Sequence, residues 1–539
     1  MIEDCRVWAA GIIDINNTKD FKYFNNIDDF MKHILKKDDC YIYFHNLKFD
    51  GEFIFYWLFE NGFEHTRTRE PEKGQFSTVI SDKNLFYSIK ICNGNNVITI
   101  LDSLKILPFK IAELPKMFGL DIEKLDIEYT EHREVGHILT QQEIDYLKND
   151  VLIAALSLKV IFDEGYKKMT QGSNALHDYK KIVTPKLFKY YFPNLKELDT
   201  DIRRAYKGGF TYCSPQYKGK EIGEGIVLDV NSLYPSVMLN CELPFGDPIY
   251  YEGKYREDKI YKRYIQLIRC QFELKKGYLP TIQIKNNLSF MPTEYLESSN
   301  DEFVDLYLTD VDLSLFLEHY EIYNVDYICG WKFRSCVGLF NDYIEKWYKV
   351  KEKATIEGNK GMRTFSKLML NSLYGKFGLN PKVISRSPCY IDGLVKYVTE
   401  LPEKRTPIYI PMAVFITSWA RYITITSAQK VFDRFVYADT DSLHLIGTEI
   451  PKMLNISDTK IGAWKIEKYF SRAKFLRQKS YVEEVDGILE VTCAGMPAQC
   501  YEYVTFDNFE IGSRYKGKLS QKHVKGGIVL TDIDFTIKP

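Results

Sequence analysis

Three things are scarce in this chain of 539 residues: long apolar runs, an excess of either charge, and paired cysteines. No apolar stretch approaches the ~18 residues that a helix needs to cross a bilayer, so no membrane-spanning helix is expected. The first residues, Met1-Ile2-Glu3-Asp4-Cys5-Arg6, lack an apolar signal segment, and a cytoplasmic location is expected, within a host cell if the chain is viral. Its 11 cysteines run from Cys5 to Cys500 without one Cys-x-x-Cys pair, which fits buried thiols in a reducing compartment better than a disulfide framework or a zinc site. The 72 Lys and Arg nearly balance the 73 Asp and Glu, so any site for a polyanion must come from local segregation of charge. Internal repeats and low-complexity segments are absent too.

The composition is that of a globular protein, and at ~150 residues per domain the length suggests three or four domains. Charge is segregated in two places. Lys346, Lys349, Lys351, Lys353, Lys360, Arg363 and Lys367 gather around one predicted helix, and Arg514, Lys516, Lys518, Lys522 and Lys525 gather near the C-terminus. Solvated helix faces also carry such runs, so the clusters support a polyanion site without establishing one. Aromatic residues make up 15%, which suits stacking on bases and equally suits a Tyr-rich compositional bias.

The first ~170 residues alternate strand-like and helix-like segments, an α/β pattern. Val7 to Ile15 and Cys40 to Phe44 read as strands, and Ile27 to Leu35 as an amphipathic helix. Val97 to Leu101 reads as a strand ending at Asp102, and Gln141 to Phe162 as a long helix capped by Thr140. Tyr146 and Asp150 lie four apart on that helix and share a face.

Further on, Gly225 to Asp229 is a buried-type strand ending in a carboxylate, and Asn231 to Pro235 turns into a helix carrying Tyr234. Strands are expected near Gln266 to Leu274 and Leu279 to Ile284. Arg363, Lys367, Asn371 and Tyr374 fall at helical spacing and line one face, with Gly375 ending the helix. That face offers cations for a triphosphate and an aromatic ring for a base. Phe415 to Tyr422 reads as a helix with one polar seam, and Leu476 to Tyr481 as a strand that puts Lys479 and Tyr481 on one side. Between two apolar runs, Tyr437-Ala438-Asp439-Thr440-Asp441-Ser442 reads as the tip of a β-hairpin bearing two carboxylates. Two acids so close repel, and a site that buries both must protonate one or supply a cation. Alone, the stretch also fits a solvated turn.

Asp-Val-Asn-Ser-Leu-Tyr-Pro at 229–235, Lys-Leu-Met-Leu-Asn-Ser-Leu-Tyr-Gly at 367–375, Tyr-Ala-Asp-Thr-Asp-Ser at 437–442 and Lys-Ser-Tyr at 479–481 follow the order of the B-family DNA polymerase motifs. With Tyr-x-Gly-Gly at 206–209 and large insertions on both sides of the Lys367 helix, the chain resembles the protein-primed, phi29-like bacteriophage replicases. The resemblance implies an α/β and α+β multidomain right-hand polymerase with an N-terminal RNase H-like 3′→5′ exonuclease domain. Its expected segments are exonuclease-like 1–172, palm 173–240 and 411–497, fingers 339–378, insertions 241–338 and 379–410, and thumb 498–539.

It further implies that Asp229, Asp439 and Asp441, with the Val230 carbonyl, serve two Mg2+ or Mn2+ ions. Tyr234 would gate the sugar; Lys351, Arg363 and Lys367 would hold the triphosphate, and Asn371 and Tyr374 the nascent pair. Tyr206, Gly208, Gly209, Thr417, Arg421, Lys479 and Tyr481 would hold template and primer. Implied partners are DNA, dNTPs and a terminal priming protein, for a monomeric enzyme that is processive and displaces strands.

For the exonuclease, Asn46 and Asp50 after a strand, and Tyr146 with Asp150, resemble two of three family motifs. Asp50, Asp126 and Asp150 would bind metal and Tyr146 would position water, while His45, Asn46, Phe49, Ser103, Leu104 and Lys124 would hold a frayed 3′ end. The remaining motif, Asp-x-Glu on the opening strand, should precede Val7. Met1 falls too late for it, so either an internal methionine has been taken as the start or the editing site is defective. Competing readings are a catalytically degenerate DNA-binding relative and RNA-templated or RNA-making polymerisation, of which Tyr234 argues against ribonucleotide use and leaves template choice open.

Overall fold

A computed structural model describes residues 3–128, 133–283 and 295–539. The N-terminal unit is built on a five-stranded sheet in which Cys40–Phe44 pairs in parallel with Asn96–Asp102, setting Phe44 opposite Asp102. Apolar residues dominate these strands because the sheet is covered; Ile42, Ile98 and Ile100 pack against Leu47, Ile54, Phe55 and Leu58 of the helix Leu47–Glu60. Burying each such side chain contributes roughly 1.5–3 kcal/mol. The helix Ile27–Leu35 starts where the Asn26 side chain accepts the Asp29 N–H, and it buries Phe30, Met31, Ile34 and Leu35. The long helix is Gln141–Asp163, begun by a reciprocal capping box between Thr140 and Glu143.

The centre of the molecule is a second five-stranded sheet in the order Trp464–Phe470, Gly225–Val230, Ser442–Ile446, Phe435–Asp439, Thr211–Cys213. Gly225–Val230 is buried except at the partly exposed Asp229, with Ile226 and Leu228 fully enclosed. A glycine is required at its start: a β-carbon on Gly225 would sit 2.1 Å from the Phe470 ring and 2.3 Å from the Leu445 carbonyl oxygen. Behind the sheet lies the helix Ile410–Lys430, which is buried over most of its length.

Two other pieces extend from this centre. A four-stranded sheet of Leu243–Glu252, Tyr320–Cys336, Arg263–Leu274 and Val304–Thr309 carries the helix Asp310–His319. The hairpin Arg386–Ile391 with Leu394–Thr399 reaches back to the N-terminal unit, where Tyr390 stacks on Phe59 at 5.5 Å. The C-terminal hairpin, Arg514–Val524 with Gly527–Thr536, also docks there, bridging Asp4 to Lys525. Among the described residues, no helix is long and apolar enough to cross a membrane.

Several boundaries differ from the sequence expectation. The first strand is Ala10–Asp14 rather than Val7 to Ile15, and Leu279 to Ile284 yields only Ile282–Gln283, with residue 284 outside the described residues. The Lys367 helix runs Lys360–Ser372 and a short turn, Tyr374–Phe377, follows it, so Gly375 sits inside the turn instead of ending the helix. Leu476 to Tyr481 is not one strand. Arg472–Arg477 ends, Lys479 takes a left-handed φ of 53° in a hairpin turn, and Ser480–Val485 begins. A turn breaks the period of two, so Lys479 and Tyr481 are not neighbours on one strand face.

Candidate active site

Sheet register assembles the acidic centre. Asp229 lies opposite Ser442 on one side and opposite Lys465 on the other, and Asp439 also faces Ser442 across the hairpin. The Val230 N–H donates to the Asp441 carbonyl oxygen at 2.8 Å, so the last residue of one strand is tied to the hairpin tip. Thr440 occupies that tip with φ of 62°. Its N–H donates to the Phe210 carbonyl at 2.7 Å, and a β-carbon on Gly209 would lie 2.7 Å from the Thr440 side chain. The second glycine of Tyr-x-Gly-Gly is therefore needed because the hairpin tip packs directly on it.

The electrostatics follow from this crowding. Burial first, and then the neighbouring charge of Asp229, push Asp441 up to about 6, with smaller contributions from Asp439 and Glu467. A carboxyl that resists ionisation beside a second carboxylate is a site short of positive charge. Asp439 is served differently. Both of its oxygens accept from Lys479 Nζ at 2.8 Å, and Oδ1 accepts from the Thr211 hydroxyl at 3.1 Å. Among the described residues, no group of three His, Cys, Asp or Glu is gathered to hold a metal ion. The donor set that fits a cation is thus Asp229 and Asp441, with Asp439 engaged by its own lysine.

Beside the acids, the rings of Tyr234 and Tyr374 stack with centroids 4.0 Å apart. Arg363, Lys367 and Asn371 are exposed along one face of their helix, while Met369 and Leu373 are buried beneath them. Lys351 reaches the same region from the helix Asn341–Ile356; burial and then the charges of Arg363, Lys367 and Lys465 hold its ammonium below the usual range. The expected triphosphate cations therefore converge.

Other expected contacts are not at the surface. Arg421 is 1% exposed, and its guanidinium is consumed by Asp312 at 2.6 and 3.0 Å, by Ser418, and by the Lys207 and Gly208 carbonyls. Thr417 is buried, with its hydroxyl donating to the Ala413 carbonyl at 3.0 Å. Both were expected to touch DNA directly; a guanidinium buried on Asp312 instead fixes the backbone at Gly208. Gly208 itself is open, with nothing within 4 Å of a β-carbon placed on it, and Tyr206 packs against Gly378. Tyr481 packs on Tyr437 and His444, each at 5.1 Å, and the Tyr437 hydroxyl accepts the Lys479 N–H at 2.8 Å.

In the N-terminal unit the acids are arranged differently. Lys124 Nζ donates to both oxygens of Asp150, at 2.7 and 2.9 Å, and to the Tyr146 hydroxyl at 3.2 Å. Asp50 lies near Asp102; burial, with the Asp102 charge adding, pushes it up to about 7. Asp126 is exposed. His45 has Ser103 Oγ at 3.0 Å and the Phe109 carbonyl at 2.7 Å, and Asp102 accepts the N–H groups of Asn46 and Leu104 at 3.0 Å. Ser103 is 1% exposed and its hydroxyl donates to Phe44, so it braces His45 and has no surface to offer a 3′ end, contrary to expectation. Phe49 contacts Phe53 at 5.5 Å.

Sequence reasoning missed Lys465, whose Nζ is 3.1 Å from Asp229 Oδ1, along with Asp102 and Asp312. The alternation in Trp464-Lys465-Ile466-Glu467-Lys468 was the available signal for the first. It also missed Glu483, fully buried under the hairpin and paired with His444 at 2.6 Å and Lys468 at 2.8 Å.

The sequence profile of the family described as DNA polymerase type B, organellar and viral, matches residues 31–140 and 126–459. The DNA polymerase of Bacillus phage Nf is 47% identical, over 100% of this chain and 97% of its own length. That of Bacillus phage phi29 is 46% identical over the same shares. A solved structure of the phi29 enzyme with primer-template DNA and incoming nucleotide superposes with a TM-score of 0.93 at 45% identity, covering 99% of this chain and 97% of that one.

Proposed function

The chain belongs to the organellar and viral type B DNA polymerases, and on that premise we propose that its central sheet extends a DNA primer by template-directed nucleotidyl transfer in phage replication. The observation that carries this is the Asp229–Asp441 pair, an acid near a strand end beside the acid of the hairpin turn, with Lys351, Arg363 and Lys367 gathered next to Lys465, the lysine on Asp229. The family depends on divalent metal, and the donor set fits it: Asp229, Asp441 and the Val230 carbonyl would hold the ions, which we assign as two Mg2+ or Mn2+. Such ions would acidify the primer hydroxyl and balance the charge of the departing pyrophosphate.

The chain's own residues do the rest. The primer 3′-hydroxyl loses its proton and attacks the α-phosphate; a P–O bond forms to the primer and the bond to the β-phosphate oxygen breaks, releasing pyrophosphate. Lys351, Arg363 and Lys367 bind the triphosphate and hold it in line, which together with charge neutralisation supplies most of the rate. Tyr234, stacked on Tyr374, closes the space a 2′-hydroxyl needs, and Tyr374 with Asn371 lines the nascent pair. We assign Lys479 and Tyr481 to contact with the primer end. Arg421 acts on DNA through the Gly208 backbone it fixes.

The printed description of the phi29 ternary complex, primer-template DNA with incoming nucleotides, supports the same partners here. We further assign the 241–338 insertion to contact with a terminal priming protein, 379–410 to processive strand displacement, and 498–539 to the thumb, in a monomer working in the host cytoplasm. Residues 1–172 are assigned as the exonuclease-like domain and 339–378 as the fingers. The presence of Asp229 and Asp441 together with Lys351, Arg363 and Lys367 argues against a degenerate, purely DNA-binding relative. Primer extension with retention of the primer-template measured in parallel tests the reading: Asp229→Ala should abolish extension while leaving DNA bound, and efficient extension by Asp229→Ala would overturn it.

A further inference from the structure

Asp229 is not alone before substrate arrives. Lys465 is its register partner on the outer strand Trp464–Phe470, so both side chains leave the same face of the sheet. The lysine Nζ approaches one oxygen of the carboxylate at 3.1 Å, and its side chain remains 38% exposed. Its ammonium is also close enough to Lys351 to depress that lysine alongside Arg363 and Lys367. One flexible cation thus stands between the carboxylate that binds metal and the cluster that binds triphosphate.

We propose that Lys465 is an exchangeable counter-ion, neutralising Asp229 in the nucleotide-free enzyme and moving to the incoming triphosphate when a divalent cation takes the carboxylate. The inference rests on the metal role of Asp229 given above. Three features carry it. The lysine stem is long and partly solvated, so the ammonium moves without unfolding the strand. The closest approach is 3.1 Å, longer than the 2.8 Å at which Lys479 holds both oxygens of Asp439. The surrounding positive charges repel Lys465, and either Asp229 or a triphosphate relieves that repulsion. Two ligands competing for one carboxylate make metal and nucleotide binding reciprocal: without nucleotide the ammonium opposes the metal, and with nucleotide it assists.

The test is direct binding of Mn2+, followed by electron paramagnetic resonance, to the nucleotide-free enzyme. Lys465→Met should bind Mn2+ about threefold more tightly than the unaltered protein, the scale of a partly exposed ion pair. Its KM for dNTP should rise by a similar factor of about three, with kcat little changed. Lys465→Arg should restore both. Asp229→Ala should weaken Mn2+ binding, and if it does not, the metal reading fails independently of Lys465. If Asp229→Ala weakens Mn2+ binding while Lys465→Met leaves it unchanged or weaker, the exchange is overturned whatever the KM.

Discussion

The central sheet and the N-terminal unit each carry acids of the kind that hold catalytic metal, and they hold them in contrasting ways. In the sheet, hydrogen-bond register sets Asp229 beside the hairpin that bears Asp441, and the lysine on Asp229 is a half-exposed side chain free to leave. In the N-terminal unit, Asp50 opens a helix next to buried Asp102, and Asp150 is clasped through both oxygens by Lys124. In each, burial and a neighbouring carboxylate push one acid up and a lysine pairs another; the difference is that Lys465 stands 3.1 Å from Asp229, whereas Lys124 holds both oxygens of Asp150 at 2.7 and 2.9 Å. Preorganisation of charge, rather than the number of acids, separates them.

That contrast predicts a graded set of outcomes. The largest is at the sheet: Asp229→Ala should lower the extension rate by roughly a thousandfold or more, whereas Asp50→Ala should leave extension within about twofold, read by rapid-quench primer extension. Next, Gly209→Val should drive a side chain into Thr440 and displace the hairpin tip, lowering extension by roughly tenfold to a hundredfold while thermal unfolding shows a destabilisation of about 1–3 kcal/mol. A smaller effect is expected at the sugar gate, where Tyr234→Val should raise ribonucleotide incorporation by roughly tenfold or more without changing the preference among bases. Unchanged sugar selectivity would remove Tyr234 from that role.

The smallest effect is in pH and belongs to the N-terminal unit. Asp50 has a folded value of about 7, above its unfolded one near ~4, so it favours the folded state below pH ~4 and that stability is lost as pH rises through 7. Asp50→Asn should therefore gain thermal stability relative to the unaltered chain at pH 8 and not at pH 4. Degradation of a mismatched primer by this chain should be slow compared with extension, and should climb between pH 6 and 8 as Asp50 ionises. Brisk degradation at pH 6 would break the comparison.

Much of this was legible before the structure, for identifiable reasons. Local periodicity located Cys40–Phe44 and Ile27–Leu35, because burial of one stripe or run leaves a clear pattern, and the capping residue Thr140 marked the start at Gln141. The exposed face of Arg363, Lys367 and Asn371 followed from helical spacing. What escaped was set by contacts distant in sequence. Nothing near Arg421 announces Asp312, more than a hundred residues away, as the group that buries it. Lys479 read as a strand residue because its left-handed turn lacks the glycine or asparagine that usually marks one. Lys465 gained meaning only when register set it opposite Asp229.

The central claim is that Asp229 and Asp441 form the synthetic site through their charge. Asp441→Asn keeps the shape and removes the charge, so its single-turnover rate of nucleotide addition at saturating magnesium on a bound primer-template is the most direct measure. The rate should fall by roughly a thousandfold with the primer-template still bound. A rate within about tenfold of the unaltered enzyme would contradict the account.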